Sequence, residues 1–117
     1  MVFGSGPEAG AQQATAQLLG SVKDTTGAVV PGVTVTLRNA QTNVSRSTTS
    51  DKDGAYLFTL VAIGTYEVTA EHSGFRKFLQ KGITLDVNQN GRLDVTLQVG
   101  RGTEVVEVTA NIARLTL

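Results

Sequence analysis

Apolar and polar positions alternate along most of this chain, starting at Leu18. Val33, Val35 and Leu37 alternate with Thr34 and Thr36. Tyr56, Phe58 and Leu60 alternate with Ala55, Leu57 and Thr59. Tyr66, Val68 and Ala70 alternate with Glu67 and Thr69, and Ile83, Leu85 and Val87 come next. Leu93, Val95, Leu97 and Val99 give the longest clean run. A period of two marks a strand with one dry and one wet face. The predicted core is therefore Val33, Val35, Leu37, Tyr56, Phe58, Tyr66, Val68, Leu93, Val95 and Leu97, with Thr34 and Thr36 outward. Residues 18–23 read as a first strand. Residues 44–50 are polar throughout and read as an edge strand. Val105, Val106 and Val108 make a last β-prone segment.

Turn residues separate these runs: Asp24 to Gly27, Pro31-Gly32, Asp51-Lys52-Asp53-Gly54, Ala62-Ile63-Gly64, Glu71 to Gly74, Asn88 to Gly91, and Gly100-Arg101-Gly102. Asp favours the start of such turns and Gly their end. No segment sustains a period of 3.6. Seven or eight short strands, spaced about 8–12 residues apart, predict an antiparallel sandwich or barrel.

A length of 117 residues allows one domain. Cysteine is absent, which excludes thiol catalysis, disulfide frameworks and cysteine-based zinc sites. Only one histidine is present, which excludes multi-histidine metal sites. Ten basic residues balance ten acidic ones, so no electrostatic footprint for nucleic acid or an anionic membrane exists. No run approaches the roughly 20 apolar residues of a spanning helix. Residues 1–17 are expected to be a flexible tail or the remnant of a signal peptide, residues 18–100 a sandwich, and residues 101–117 a β-prone connector.

Few residues carry chemistry. His72 is the only base available to a serine hydrolase, but it adjoins Ser73 on the chain, where a nucleophile–base pair rarely forms. Asp51 and Asp53 are explained by their turn. The stretch from Asp86 to Asp94 matches a calcium loop at Asp86, Asn88, Asn90, Gly91 and Asp94. Its twelfth position is Leu97 in place of the bidentate glutamate, and its flanks alternate as strands. Asn90-Gly91 is a strong hairpin signal, so a hairpin connection is expected there.

The order of these signals resembles the carboxypeptidase regulatory-like domain. The likeness rests on Gly20-Ser-Val-Lys-Asp24, Gly27-Ala-Val-Val-Pro-Gly-Val-Thr-Val-Thr-Leu37, Thr48-Thr-Ser-Asp-Lys-Asp-Gly-Ala-Tyr-Leu-Phe58 and Gly64-Thr-Tyr-Glu-Val-Thr-Ala-Glu-His-Ser-Gly-Phe75. With Val105-Val-Glu-Val-Thr-Ala110, the run is most similar to the N-terminal extension of bacterial TonB-dependent outer-membrane receptors. The resemblance implies an all-β, seven- to eight-stranded antiparallel Greek-key β-sandwich of prealbumin-like type, with a flexible N-terminal tail. Related Cna B-type domains carry a Lys–Asn isopeptide bond. Here Val22 occupies the lysine position and Lys23 points away from the core, so the bond is not expected.

The functional expectation is a non-enzymatic scaffold or interaction module of the bacterial cell envelope, periplasmic, outer-membrane or secreted. No catalytic, cofactor-binding or metal-binding residues and no cofactor are expected. The expected partner is a protein that docks on a strand edge. Residues 103–110 are expected either to pair with their own sandwich, with the polar strand 44–50 marking a candidate acceptor edge, or to self-associate by adding to a neighbouring molecule. The alternative is a carbohydrate-binding module, since starch-binding domains share a similar sandwich. Such a module should expose a pair of flat aromatics. Phe75 and Phe78, on either side of Arg76-Lys77, are the candidates for partial exposure.

Overall fold

A computed structural model describes residues 14–108. Nine strands run in order: β1 (Thr15–Asp24), β2 (Thr34–Asn39), β3 (Ser45–Thr49), β4 (Ala55–Ala62), β5 (Gly64–Glu71), β6 (Lys77–Leu85), β7 (Asn90–Arg92), β8 (Val95–Leu97) and β9 (Val105–Val108). They make two sheets. One runs β4-β1-β7, with β8 also paired to β1; the other runs β3-β2-β5-β6-β9. Among the described residues there is no helix, and so none long and apolar enough to cross a membrane.

The inward register follows the alternation. All ten predicted core residues are buried, and Leu18, Val22, Val61, Phe78 and Leu85 join them. Thr34 is exposed and Thr36 half-buried on the outer face. At Gly54 the chain turns with φ +76°, and a Cβ there would lie 2.7 Å from the Val22 carbonyl oxygen. That oxygen instead accepts from the Val30 N–H, while the Val22 N–H donates to Gly54 O at 2.7 Å. This close approach admits only glycine. Tyr66 Oη donates to Ala62 O at 2.7 Å and fixes the β4–β5 corner.

Several expectations are corrected by the packing. Leu60 is not inward: it is 78% exposed, and Val61 is buried in its place. Ala16 pairs with Val61 and Leu18 with Phe58, so Thr59 and Leu60 together oppose Gln17 in a bulge. Leu60 adopts φ +51°, a conformation that costs a non-glycine residue about 1–2 kcal/mol. The bulge keeps both Phe58 and Val61 in the core, and their burial outweighs that strain.

Strand β1 begins inside the stretch read as tail. Thr15 and Ala16 pair with Ala62 and Val61, and Ala16 is buried. Residues 1–13 lie outside the described residues.

The four long pairings, β1–β4, β2–β3, β2–β5 and β5–β6, are antiparallel as expected. The short strands differ: β7 and β8 run parallel to β1, and β9 runs parallel to β6. The cause is that the chain leaves β6 for the opposite sheet. Residues 86–89 make that crossing, with Asn88 at φ +59°. The hairpin expected at Asn90-Gly91 does not form, because both residues lie within β7. Gly91 is buried there, where a Cβ would meet Leu85 Cδ2 at 3.0 Å.

Residues 93–99 likewise do not form one strand. Only Val95–Leu97 of the run is strand, β8, and the Asp94 carboxylate accepts from Ser21 N at 3.0 Å where the β1 ladder passes from β7 to β8. Val99 ends 74% exposed.

Candidate functional site

The side chains with chemical potential do not converge. His72 is half-buried, and its Nδ1 lies 3.0 Å from the Ser73 backbone carbonyl, not from the hydroxyl. Its ring packs edge-on to Phe75 at 5.8 Å. The side chains of Asn90 and Asp94 are drawn to separate partners, and Asp86 contributes its backbone N–H. Asn90 Oδ1 accepts from Gln17 Nε2 at 2.8 Å, Asp94 pairs with Ser21 and Arg92, and the Asp86 N–H donates to Gln89 Oε1 at 2.7 Å. Among the described residues no group of three His, Cys, Asp or Glu gathers to hold a metal. Val22 is buried and Lys23 exposed.

Two aspartates organise turns. Asp24 accepts from the Thr26 hydroxyl at 2.6 Å, from Thr26 N at 2.8 Å and from Ala28 N at 3.1 Å. Asp51 accepts from Ala55 N at 2.9 Å and Asp53 N at 2.8 Å. These donors favour the ionised form. The Thr26 hydroxyl lowers the Asp24 pKa most, and the Ala55 N–H does so for Asp51.

A depressed carboxylate stabilises the fold above its unfolded pKa of about 3.9 and loses that contribution as pH falls through the lower folded value. Stability is therefore expected to decline with acid below about pH 4. Denaturant titrations from pH 6 to pH 2 check this. The variant with both Asp24→Asn and Asp51→Asn should show a flatter slope, and an unchanged slope would contradict it.

The aromatic residues are mostly internal. Tyr56, Phe58, Tyr66 and Phe78 are all buried, and Phe75 is half-buried. Phe78 thus corrects the expectation of partial exposure: it pairs with Ala70 and points between the sheets. The Tyr56 hydroxyl donates to Leu93 O, and burial first, then the Asp94 charge, raises its pKa. It is a structural phenol.

The sheet edges differ in how they are guarded. Edge strand β3 carries only serine, threonine and arginine. Its Arg46 reaches across to the facing edge strand, where Nη1 donates to Thr59 O at 2.8 Å, and its guanidinium lies 5.7 Å from the centre of the Phe58 ring. A cleft of about 300 Å³ opens beside it, lined by Leu37, Val44, Arg46, Leu60, Val61 and Tyr66 among others. So β4 is bulged and capped. Strands β7 and β8 have three residues each, and Arg92 pairs with Asp94 between them at 3.1 Å. Short, charged, bulged or capped edges resist pairing with another chain.

Strand β9 is also short, at four residues, but among the described residues nothing caps it. Val105 is 53% and Val108 37% exposed, and Glu107 is its only charge. One side of β9 pairs with residues Lys77 to Gln80 of β6, and among the described residues no strand lies on the other. The segment is held in place before the strand begins. Arg76 N donates to Gln98 O at 2.8 Å, Gly100 N to Gly74 O at 3.1 Å, and Lys77 N to Glu104 O at 2.8 Å. Glu104 Oε1 lies 3.2 Å from Arg76 Nε and accepts from Arg101 N at 3.1 Å. The Gly100–Gly102 break is therefore a tight connection leading into β9. The described pairing reaches Gln80, and the next residues of β6, Lys81 and Gly82, form a bulge against β5, with Gly82 at φ +75°.

Sequence reasoning found the valines of this segment and its need for a sheet edge. It did not find the edge. The strand 44–50 considered as acceptor is replaced by β6, for which the parallel register leaves no local signature.

A family model for the carboxypeptidase regulatory-like domain matches residues 17–98, more than two thirds of the chain. A segment of serine-aspartate repeat-containing protein D from Staphylococcus aureus is 47% identical over 49 residues, 42% of this chain. That segment spans 4% of the staphylococcal protein. The fold is similar to wild-type catechol 1,2-dioxygenase from Acinetobacter radioresistens, with a TM-score of 0.61 and 14% identity over 94% of this chain and 59% of that one. It is also similar to a candidate carbohydrate-binding protein from Bacteroides uniformis, with a TM-score of 0.60 and 23% identity over 72% and 41% of the two chains. At such identities the two structural likenesses concern the fold alone.

Proposed function

This chain belongs to the carboxypeptidase regulatory-like domain family, and from that premise we propose that it is a non-catalytic accessory module that docks a protein partner along the outer edge of β9. The unguarded edge carries this reading. Its backbone groups face outward beside exposed valines, while the other sheet edges carry capping, charge or bulges. A partner strand laid along it would gain main-chain hydrogen bonds and apolar contact together.

In its finer form, the module sits outside the cytoplasm of a bacterium, as the N-terminal domain of a TonB-dependent outer-membrane receptor. Residues 18–100 would be its sandwich and residues 101–117 the connector toward the receptor's plug. The run through Val105 to Ala110 supports this placement. The carbohydrate alternative draws on the likeness to the Bacteroides protein. Flat exposed aromatics are what it requires, and among the described residues Phe75 alone is partly exposed.

Photo-crosslinking residues placed at Val105 and Val108, in the chain expressed in a bacterial envelope, should trap a protein partner. The same groups at Thr36 and Ser47, on the outer face of the β3-β2-β5-β6-β9 sheet, should trap none. Crosslinking at neither pair, together with retention on an immobilised glucan, would overturn edge docking in favour of the sugar reading.

A further inference from the structure

The mouth of the sandwich between β3 and β4 is an aliphatic cleft with a single charge. Buried Leu37, Val61 and Tyr66 line it, and Val44 and Leu60 stand beside them 63% and 78% exposed. Its volume of about 300 Å³ is at the small end of the range for small-molecule sites. Exposed aliphatic side chains gathered at one concave place mark a contact site, whereas single ones do not.

Both walls are held in place. Asn39 N donates to Val44 O at 2.9 Å, and Asn39 Oδ1 accepts from Gln41 N at 2.8 Å and Thr42 N at 2.9 Å. On the other wall the Tyr66 hydroxyl donates to Ala62 O at 2.7 Å, and the β4 bulge sets Leu60 at φ +51°. The bulge accounts for the backbone at position 60. It does not account for a leucine there, since glycine would adopt that backbone without strain and the core gains little from so exposed a side chain. Strained residues cluster at ligand clamps.

Arg46 supplies the charge, and no acidic residue lines the cleft. Arg38, Arg76 and Arg92 each have a carboxylate partner, at 3.1, 3.2 and 3.1 Å. Arg46 has none among the described residues. Its Nη1 donates to Thr59 O at 2.8 Å, which leaves Nε and Nη2 as donors. A guanidinium with open donors beside an aliphatic trough is complementary to a carboxylate on an aliphatic tail.

We propose that this cleft binds a small aliphatic carboxylate, with its tail against Val44 and Leu60 and its head on Arg46. The cleft adjoins β3, at the end of the sheet order opposite β9, so the inference stands apart from what docks on the outer edge of β9.

Octanoate and octanol share a tail and differ in the head, so together they test the charge. In the isotope-labelled full chain, octanoate should give saturable amide shifts centred on residues 42–46 and 59–62. Its affinity should exceed that of octanol by about tenfold, the worth of a hydrogen bond to a charged group. Hexanoate, two methylenes shorter, should bind roughly tenfold more weakly than octanoate. Arg46→Gln should reduce octanoate to the level of octanol. Because Arg46 also covers the Phe58 ring, Leu60→Gly is the second variant. It should unfold in urea at an unchanged or higher midpoint and yet bind octanoate several-fold more weakly. Absence of saturable shifts, equal affinity for octanol and octanoate, shifts centred on another face, or full octanoate affinity in either variant would overturn the proposal.

Discussion

Truncating Phe58 to alanine is expected to lower the unfolding free energy by about 3–5 kcal/mol. Phe58 is only 2% exposed, at the centre of β4. Its ring meets Tyr56 edge-on with centroids 6.1 Å apart, and Arg46 covers it from the open side of the sandwich. Removing it deletes the transfer energy of the ring and leaves a cavity between two sheets whose backbone positions are fixed by their ladders, so collapse is incomplete. The aromatic pair adds roughly 0.5–1.5 kcal/mol that alanine cannot replace. A domain of this size has on the order of 5–15 kcal/mol in all, so the variant should sit close to its folding threshold. Urea titration with an unchanged slope and a shifted midpoint would report it. A loss under about 1 kcal/mol would mean that Phe58 is not packed as described. Tyr56→Phe provides the contrast. It keeps the ring and removes only the hydroxyl that donates to Leu93 O, for a loss of about 1–2 kcal/mol.

Gly20→Ala should be nearly as damaging, at about 3 kcal/mol or more. Gly20 lies in mid-strand, paired with Tyr56 across the β1–β4 ladder. A Cβ at this position would overlap the Leu93 carbonyl oxygen and stand 2.9 Å from Tyr56 Oη. Its backbone is ordinary, so the penalty comes from contact and not from conformation. The obstacle is main chain that is itself anchored, since Leu93 N donates to Leu19 O at 2.9 Å. Relief requires either pushing residues 92–94 off β1 or breaking the buried Tyr56–Leu93 hydrogen bond, and each route costs about 1–3 kcal/mol. Gly102→Ala is the matched control, because nothing lies within 4 Å of its added Cβ. It should change stability by less than about 0.5 kcal/mol. Equal effects at the two glycines would refute the close approach at Gly20.

The inward face of this sandwich is written in the chain. Alternation is a local property of extended backbone, so Val33, Val35 and Leu37, or Tyr66 and Val68, declare their side without reference to any partner. The Asx–Gly turns are equally local, because Asp24 and Asp51 cap backbone N–H groups within four residues of themselves. Composition bounds the chemistry in the same way, since one histidine and no cysteine limit which sites any fold of this chain could build.

Tertiary structure decided the rest. Leu60 and Val61 exchange sides because β4 must bulge against β1, and a bulge depends on the opposing strand. Residues 93–99 alternate well enough for one strand, yet only Val95–Leu97 form one, and Asp94 takes the Ser21 amide just before it. Asn90-Gly91 had the chemistry of a hairpin turn. It became strand, paired in parallel with β1 through Leu18, with an added Cβ on Gly91 standing 3.0 Å from Leu85 Cδ2. The edge that receives Val105 to Val108 was the least legible feature of all. Three valines can seek any unpaired strand; the grip of Gly100 and Glu104 on residues 74–77 brings them to β6. Which edge of a sheet is left open is a property of the assembled layers, and no short stretch of sequence contains it.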